Sequence, residues 1–169
     1  MKVSHFSLAL RFSAIAICGF HFSTAQAETF VGMVVGIADG DTLTVLNNDQ
    51  QEMKIKLAEI DAPEKRQAFG ERSKQSLTDL CFGKQAEIVP QVKDRYERTV
   101  ARVNCSGVDA NTEQVKRGMA WVYPRHVKDH NLYVMQHEAK VAKRGLWADS
   151  SPTAPWVFRK RAKQYVREI

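Results

Sequence analysis

The first 27 residues of this 169-residue chain contain no aspartate and no glutamate. Lys2 and Arg11 make the segment basic, Phe12 to Phe22 is a short apolar run, and Ala25-Gln26-Ala27 puts small residues where a signal peptidase reads. The segment is read as a secretory leader, 1–27, cut after Ala27. No apolar run reaches the roughly 18 residues that a membrane span needs, which excludes a polytopic membrane protein. Glycine (9) and proline (5) are few, and hydrophobic and charged residues stand at 44% and 26%, so collagen, low-complexity disorder and a coiled-coil rod are excluded as well. There is no internal repeat and no linker to divide the remaining chain, which is long enough to bury a core without staples. Of three cysteines, Cys18 leaves with the leader. Cys81 and Cys105 remain, an even pair for which an oxidising compartment predicts a disulfide worth about 3 kcal/mol. No Cys-x-x-Cys or Cys/His spacing suggests zinc. Lysine and arginine (25) exceed aspartate and glutamate (19), and the net +6 suggests an anionic partner without naming it.

Strands come first and helices later. Thr29 to Ala38, rich in β-branched residues, Thr42 to Leu46 and Glu52 to Ile60 read as strands. They are separated by the turns Asp39-Gly40-Asp41 and Asn47-Asn48-Asp49. Phe69 to Leu80 has helical spacing and Gly83 as its stop. Gln85 to Val92 and Thr99 to Cys105 are further strands. Asn111 to Arg117 is a short helix that begins with an N-cap type residue, Asn111, and carries Glu113 in its first turn, and Asp129 to Arg144 is the strongest helix. A helix between the third and fourth of five strands, with more helices after, fits an α+β protein: a small closed five-stranded barrel of the OB-fold kind with about three packed helices. The division expected is a leader (1–27), one domain (28–150) and a proline-containing basic tail (151–169).

Asp41 opens the second strand. Ile60-Asp61-Ala62-Pro63-Glu64 leaves the third, with two carboxylates held by a rigid proline. If those strands are neighbours, Asp41 and Asp61 converge on one point, and clustered oxygens suit a hard cation such as Ca²⁺. Glu64, just beyond, is placed to accept a proton from water. Taken singly, each of these acids also suits a turn or a strand end. Asp94-Arg95-Tyr96-Glu97-Arg98 sets charged groups around an aromatic at a strand entry, where an arginine can hold a phosphate oxygen.

Together the segments resemble the staphylococcal nuclease (thermonuclease) family. The resemblance rests on Asp39-Gly40-Asp41-Thr42, Leu57-Ala58 with Ile60 to Glu64, Asp94-Arg95-Tyr96 with Arg98, Gly118 to Tyr123, and Lys143-Arg144-Gly145-Leu146-Trp147-Ala148, in order across residues 29–149. It implies that Asp41, Asp61 and the Ala62 carbonyl bind Ca²⁺, with Asp39 behind them, and that Glu64 is the general base. Arg98 would stabilise the phosphoryl transition state, and Tyr96 and Tyr123 would meet the nucleotide. The family's other catalytic arginine falls on Lys56, which keeps the charge but loses the bidentate fork. Glu97 and Glu59 stand where the family often has glycine, so a left-handed backbone there would be strained and the enzyme weakened.

The implied activity is a Ca²⁺-dependent, sugar-nonspecific nuclease that leaves 3′-phosphate and 5′-hydroxyl ends on DNA and RNA. The protein is expected to be periplasmic or secreted, free of the membrane once the leader is removed, and a monomer. A noncatalytic OB-fold module that binds nucleic acid is the alternative, and a calcium-dependent interaction domain a further one. Retention of Asp41, Asp61, Glu64 and Arg98 argues against the module. The basic tail from Arg159 to Arg167 is expected to be a solvated helix face rather than a nucleic-acid contact.

Overall fold

The structure, a computed structural model, describes residues 28–167. The expected leader and Cys18 lie outside these residues.

Five strands close a barrel: β1 (Phe30–Ile37), β2 (Thr42–Leu46), β3 (Glu52–Leu57), β5 (Gln85–Lys93) and β6 (Thr99–Cys105). β1 to β3 form an antiparallel meander, β5 pairs with both β1 and β6, and a parallel β3–β6 pairing completes the ring. Two-residue strands supplement it: β4 (Ile60–Asp61) pairs with β8 (Trp121–Val122), and β7 (Val108–Asp109) extends β6. Alternation drives closure. β6 buries every second residue, and Val34, Leu43, Val45, Ile55, Leu57, Ile88 and Val103 fill the interior. The barrel mixes parallel and antiparallel pairing, and the expected α+β class and five-stranded ring are what the chain adopts.

The expected third strand does not run straight to Ile60. It ends at Leu57, turns at Ala58-Glu59 with Glu59 at φ 70°, and resumes as β4. That turn carries Asp61 across the barrel end instead of past it.

α1 (Gly70–Cys81) lies between β4 and β5, and its Leu77 and Leu80 plug the barrel. α2 (Ala110–Lys116) is capped by Asp109, whose carboxylate accepts the Thr112 N–H at 3.0 Å, rather than by Asn111. Asn111 is buried and donates to the carbonyl of Ala58 at 2.9 Å. α3 (Asn131–Val141) packs on α2 through Leu132. A 3₁₀ turn at Gly145–Ala148 buries Leu146 and Trp147.

Cys81, the last residue of α1, and Cys105, the last of β6, are joined by a disulfide with Cα atoms 5.3 Å apart. No helix among the described residues is long and apolar enough to cross a membrane.

The tail is helical, as its reading as a helix face implied: Pro155–Arg167 forms α4, in addition to the three packed helices expected of the domain. Pro155 suits the first helical position, where its missing N–H costs nothing.

Candidate active site

One end of the barrel collects the acids. Asp41 immediately precedes β2, and β2 pairs with β3 so that Thr42 faces Lys56. The N–H of Leu57 donates to the Asp41 carbonyl at 2.8 Å. The turn at Glu59 then returns the chain, and the Ala62 N–H donates to Asp41 Oδ2 at 2.6 Å, stitching the β4 exit to the β2 entrance. Gly40 has no substitute here. A side chain at that position would collide with Ser73 on α1 and with Ala62, and the Gly40 carbonyl accepts Gln114 Nε2 at 2.6 Å.

Asp41 and Asp61 are each 4% exposed and converge on one positive charge. Lys56 Nζ lies 2.7 Å from Asp41 Oδ2 and 3.8 Å from Asp61 Oδ1. Burial alone would push the Asp41 carboxyl up. The Lys56 ammonium, with the Ala62 N–H and the Thr42 hydroxyl, outweighs it and holds the group below its ordinary value. Burial also raises Asp61. Hydrogen bonding from Arg159 and the charge of Lys56 oppose the rise without reversing it, and the charge of Asp41 adds to it. Asp39 accepts the Asp41 N–H at 3.0 Å. Its carboxyl is pushed up to about 6, first by burial and then by the neighbouring Asp41 charge.

Arg98 stands at the entrance of β6, which lies beside β3. Its Nε and Nη2 both meet Asp94 Oδ2, at 2.9 and 2.8 Å, and Nη1 reaches Thr42 Oγ1 at 3.5 Å. Thr42 in turn donates to Asp41 Oδ1 at 3.0 Å. Arg98 is therefore linked to the acids through one hydroxyl. Its partner Asp94 is also pushed up by burial, but the Arg98 guanidinium and the N–H groups of Tyr96 and Arg98 hold it below its ordinary value. Tyr96 is 63% exposed and packs on Arg95 and Arg98, 4.8 and 5.5 Å from ring centre to guanidinium. Tyr123 packs against His126 and Trp156, with ring centres at 5.3 and 5.5 Å.

Glu64 is half-exposed, and one of its carboxylate oxygens is already engaged. Its Oε1 accepts Arg159 Nη1 at 2.6 Å. The same guanidinium grips Asp61 with Nη1–Oδ1 at 3.1 Å and Nη2–Oδ2 at 2.7 Å. This is the residue that sequence reasoning misplaced. The tail was expected to be a solvated face, and Lys160 and Arg161 are indeed exposed, but Arg159 turns into the site. The available signal was Trp156 at three residues' distance, an aromatic sharing a helix face with one arginine of the cluster.

Among the described residues no group of three or more His, Cys, Asp or Glu side chains is arranged to hold a metal ion. The converging acids are a pair. Two buried carboxylates that already share one ammonium are nonetheless hard-oxygen donors aimed at a common cation. With the Ala62 carbonyl and water they match the irregular oxygen shells that Ca²⁺ accepts. The donor set fits, provided that Lys56 and Arg159 give way.

A small barrel carrying buried acids at one end, ringed by lysine and arginine, defines a site for a phosphate-bearing substrate. Residues 54–149 match the family described as staphylococcal nuclease homologue. An uncharacterized endonuclease of Haemophilus influenzae is 41% identical over 96% of this chain and 87% of its own length. An uncharacterized endonuclease of Escherichia coli O157:H7 is 40% identical over 77% of this chain and 85% of its own length. A micrococcal nuclease of Shigella flexneri is 38% identical over 92% and 94%. The chain belongs to the staphylococcal nuclease family, as a nuclease of that family. The family match ends at 149, so Arg159 lies beyond it.

Proposed function

We propose that the protein is an exported, Ca²⁺-dependent nuclease that hydrolyses DNA and RNA without regard to the sugar, leaving 3′-phosphate and 5′-hydroxyl ends. The observation that carries this reading is the buried Asp41–Asp61 pair, converging on one positive charge with Glu64 at its rim. Asp41, Asp61 and the Ala62 carbonyl would hold the cation. When bound, Ca²⁺ would supply Lewis-acid neutralisation of the phosphate charge that otherwise repels the nucleophile.

The chain's own groups do the rest. Glu64 orients the attacking water and takes its proton. The water oxygen bonds to phosphorus, the bond from phosphorus to the 5′ oxygen breaks, and that oxygen takes a proton from solvent to leave as the 5′-hydroxyl. Arg98, fixed by Asp94, stabilises charge on the equatorial oxygens. Lys56 adds a point charge without a fork, so phosphate is held less firmly than by two guanidinium groups. Contacts confined to phosphate and sugar carry no direct base information, which favours low sequence specificity. Export is supported by the acid-free, Ala-x-Ala-ended N-terminal segment and by the Cys81–Cys105 disulfide.

The test is digestion of plasmid, denatured DNA and RNA by the purified, oxidised protein, with Ca²⁺ or with a chelator. Calcium-dependent cleavage with 3′-phosphate ends is expected, and Glu64→Gln should lower kcat by about 10²- to 10⁴-fold. No cleavage by the folded protein overturns the proposal.

A further inference from the structure

Three cations stand at the site, but only two of them touch the acids. The Arg98 fork is committed to Asp94, outside the acid pair. Lys56 is wedged between Asp41 and Asp61. Arg159 spans Asp61 and Glu64 from above, and its side chain is 40% exposed where that of Asp61 is 5%. It therefore roofs the acids and faces solvent on its other side. Three of its contacts go to carboxylates. A guanidinium has five N–H donors, so two remain.

The position is built. Ala154 and Pro155 are buried at the start of α4. The Trp156 ring stands edge-on to Trp121 at 5.8 Å and tilted on Tyr123 at 5.5 Å. Gln67 Nε2 donates to the Thr153 carbonyl at 2.5 Å, tying the segment before α4 to the loop that carries Glu64. The N–H of Glu64 donates in turn to Gln67 Oε1 at 3.2 Å. One glutamine side chain thus sets the distance between Glu64 and the helix that presents Arg159.

We propose that Arg159 is a catalytic residue of the nuclease reaction, a ligand of the substrate phosphate supplied by the C-terminal helix; this rests on the nuclease reading above. Without substrate its fork neutralises Asp61 and Glu64. A phosphodiester offers the same fork two non-bridging oxygens, so one anionic partner replaces another at similar geometry. The exchange frees Glu64 for water and Asp61 for a cation at the moment the phosphate arrives. Arg159 also restores the bidentate contact that Lys56 cannot make.

The test uses the full chain with Arg159→Ala, Arg159→Gln, Arg159→Lys and Arg161→Ala, the last an exposed cation on the same helix. Steady-state cleavage gives kcat and KM. Binding of a labelled single-stranded oligonucleotide is measured in parallel in a Glu64→Gln background, and thermal melting checks folding. Arg159→Ala and Arg159→Gln should lower kcat/KM by about 10²- to 10³-fold and weaken oligonucleotide binding. Arg159→Lys should recover only part of this, and Arg161→Ala should leave kcat/KM unchanged. If Arg159→Ala fails to fold, Arg159→Gln, which keeps part of the stem and a polar end, carries the measurement.

Unchanged or increased kcat/KM in Arg159→Ala overturns the proposal, because the residue is then only a latch on the acids. An equal loss in Arg161→Ala overturns it too, because the helix then acts by bulk charge. If the unsubstituted protein cleaves nothing, the nuclease reading falls by itself. Oligonucleotide binding that needs Arg159 and not Arg161 would then still leave Arg159 as a phosphate ligand.

Discussion

Two turns flank the acid cluster, and each holds a glutamate in left-handed backbone: Glu59 at φ 70° between β3 and β4, and Glu97 at φ 60° between β5 and β6. A non-glycine residue there costs about 1–2 kcal/mol. Glu59 is 5% exposed. Its carboxylate accepts the N–H groups of Lys128 and Asp129 at 2.9 and 2.7 Å and Arg102 Nη1 at 3.3 Å. Its carbonyl accepts the Tyr123 N–H at 2.8 Å. It thereby fastens the loop before α3 to the barrel end. Glu97 is exposed, and among the described contacts its side chain meets nothing; the turn is shaped by Asp94, whose Oδ1 accepts the Tyr96 and Arg98 N–H groups. The same strain is offset in one turn by what the side chain does and stands as a plain cost in the other. Both glutamates adopt the left-handed backbone expected of positions where the family often has glycine, but Glu59 is a brace, and Glu97 alone keeps the character of a substituted glycine.

The contrast breaks most sharply at Glu59. Glu59→Ala leaves two N–H groups without their acceptor and Arg102 with one partner fewer, and it should destabilise by about 3 kcal/mol in urea unfolding. An unchanged midpoint would mean that the brace is decorative.

Acid should produce the next effect. Burial pushes the Glu59 carboxyl up, but the N–H groups of Asp129 and Lys128 and the Arg102 guanidinium outweigh it and hold the group below its ordinary 4.5. Folding therefore releases a proton from this site. Its stabilisation is complete above pH 4.5 and is lost as pH falls through the lower folded value. Urea titrations across that range should show the gap between the unsubstituted protein and Glu59→Gln closing toward acid. A gap that widens toward acid contradicts the assignment.

Glu97→Gly should act in the opposite direction and least. Relief of the left-handed backbone should stabilise by about 1 kcal/mol. Removing a negative charge that stands between Tyr96 and Arg98 in the chain should raise kcat/KM modestly, more at low salt than at high salt. If stability falls instead, the Glu97 side chain has a partner when substrate is absent.

Much of this site is legible in the sequence. Asp41, Lys56 and Asp61 belong to adjacent segments of one meander, so turn chemistry and alternation suffice to bring them near one another. Arg98 needed one more step, the parallel β3–β6 closure, which no local pattern announces. The bend at Glu59 leaves one mark in the sequence: Met53, Ile55 and Leu57 alternate, but Ile60 falls out of phase with them, and a lost phase alone does not distinguish a turn from a bulge. Asn111 resembles a helix cap in sequence, yet it is a buried tie to the barrel, because Asp109 reaches Thr112 first.

The sequence by itself determined the strands, the placement of α1 between the third and fourth barrel strands, and the acid set at the barrel's end. These rest on interactions within a few residues or between neighbouring strands, where periodicity and turn residues dictate geometry. The tertiary structure alone decided that Arg159 joins the site. That contact spans 98 residues of chain to Asp61. It depends on the direction in which α4 leaves Pro155 and on the seat that Trp121 and Tyr123 provide for Trp156. A basic cluster reads alike in sequence whether it faces water or a carboxylate, and only packing against distant elements separates Arg159 from its neighbours.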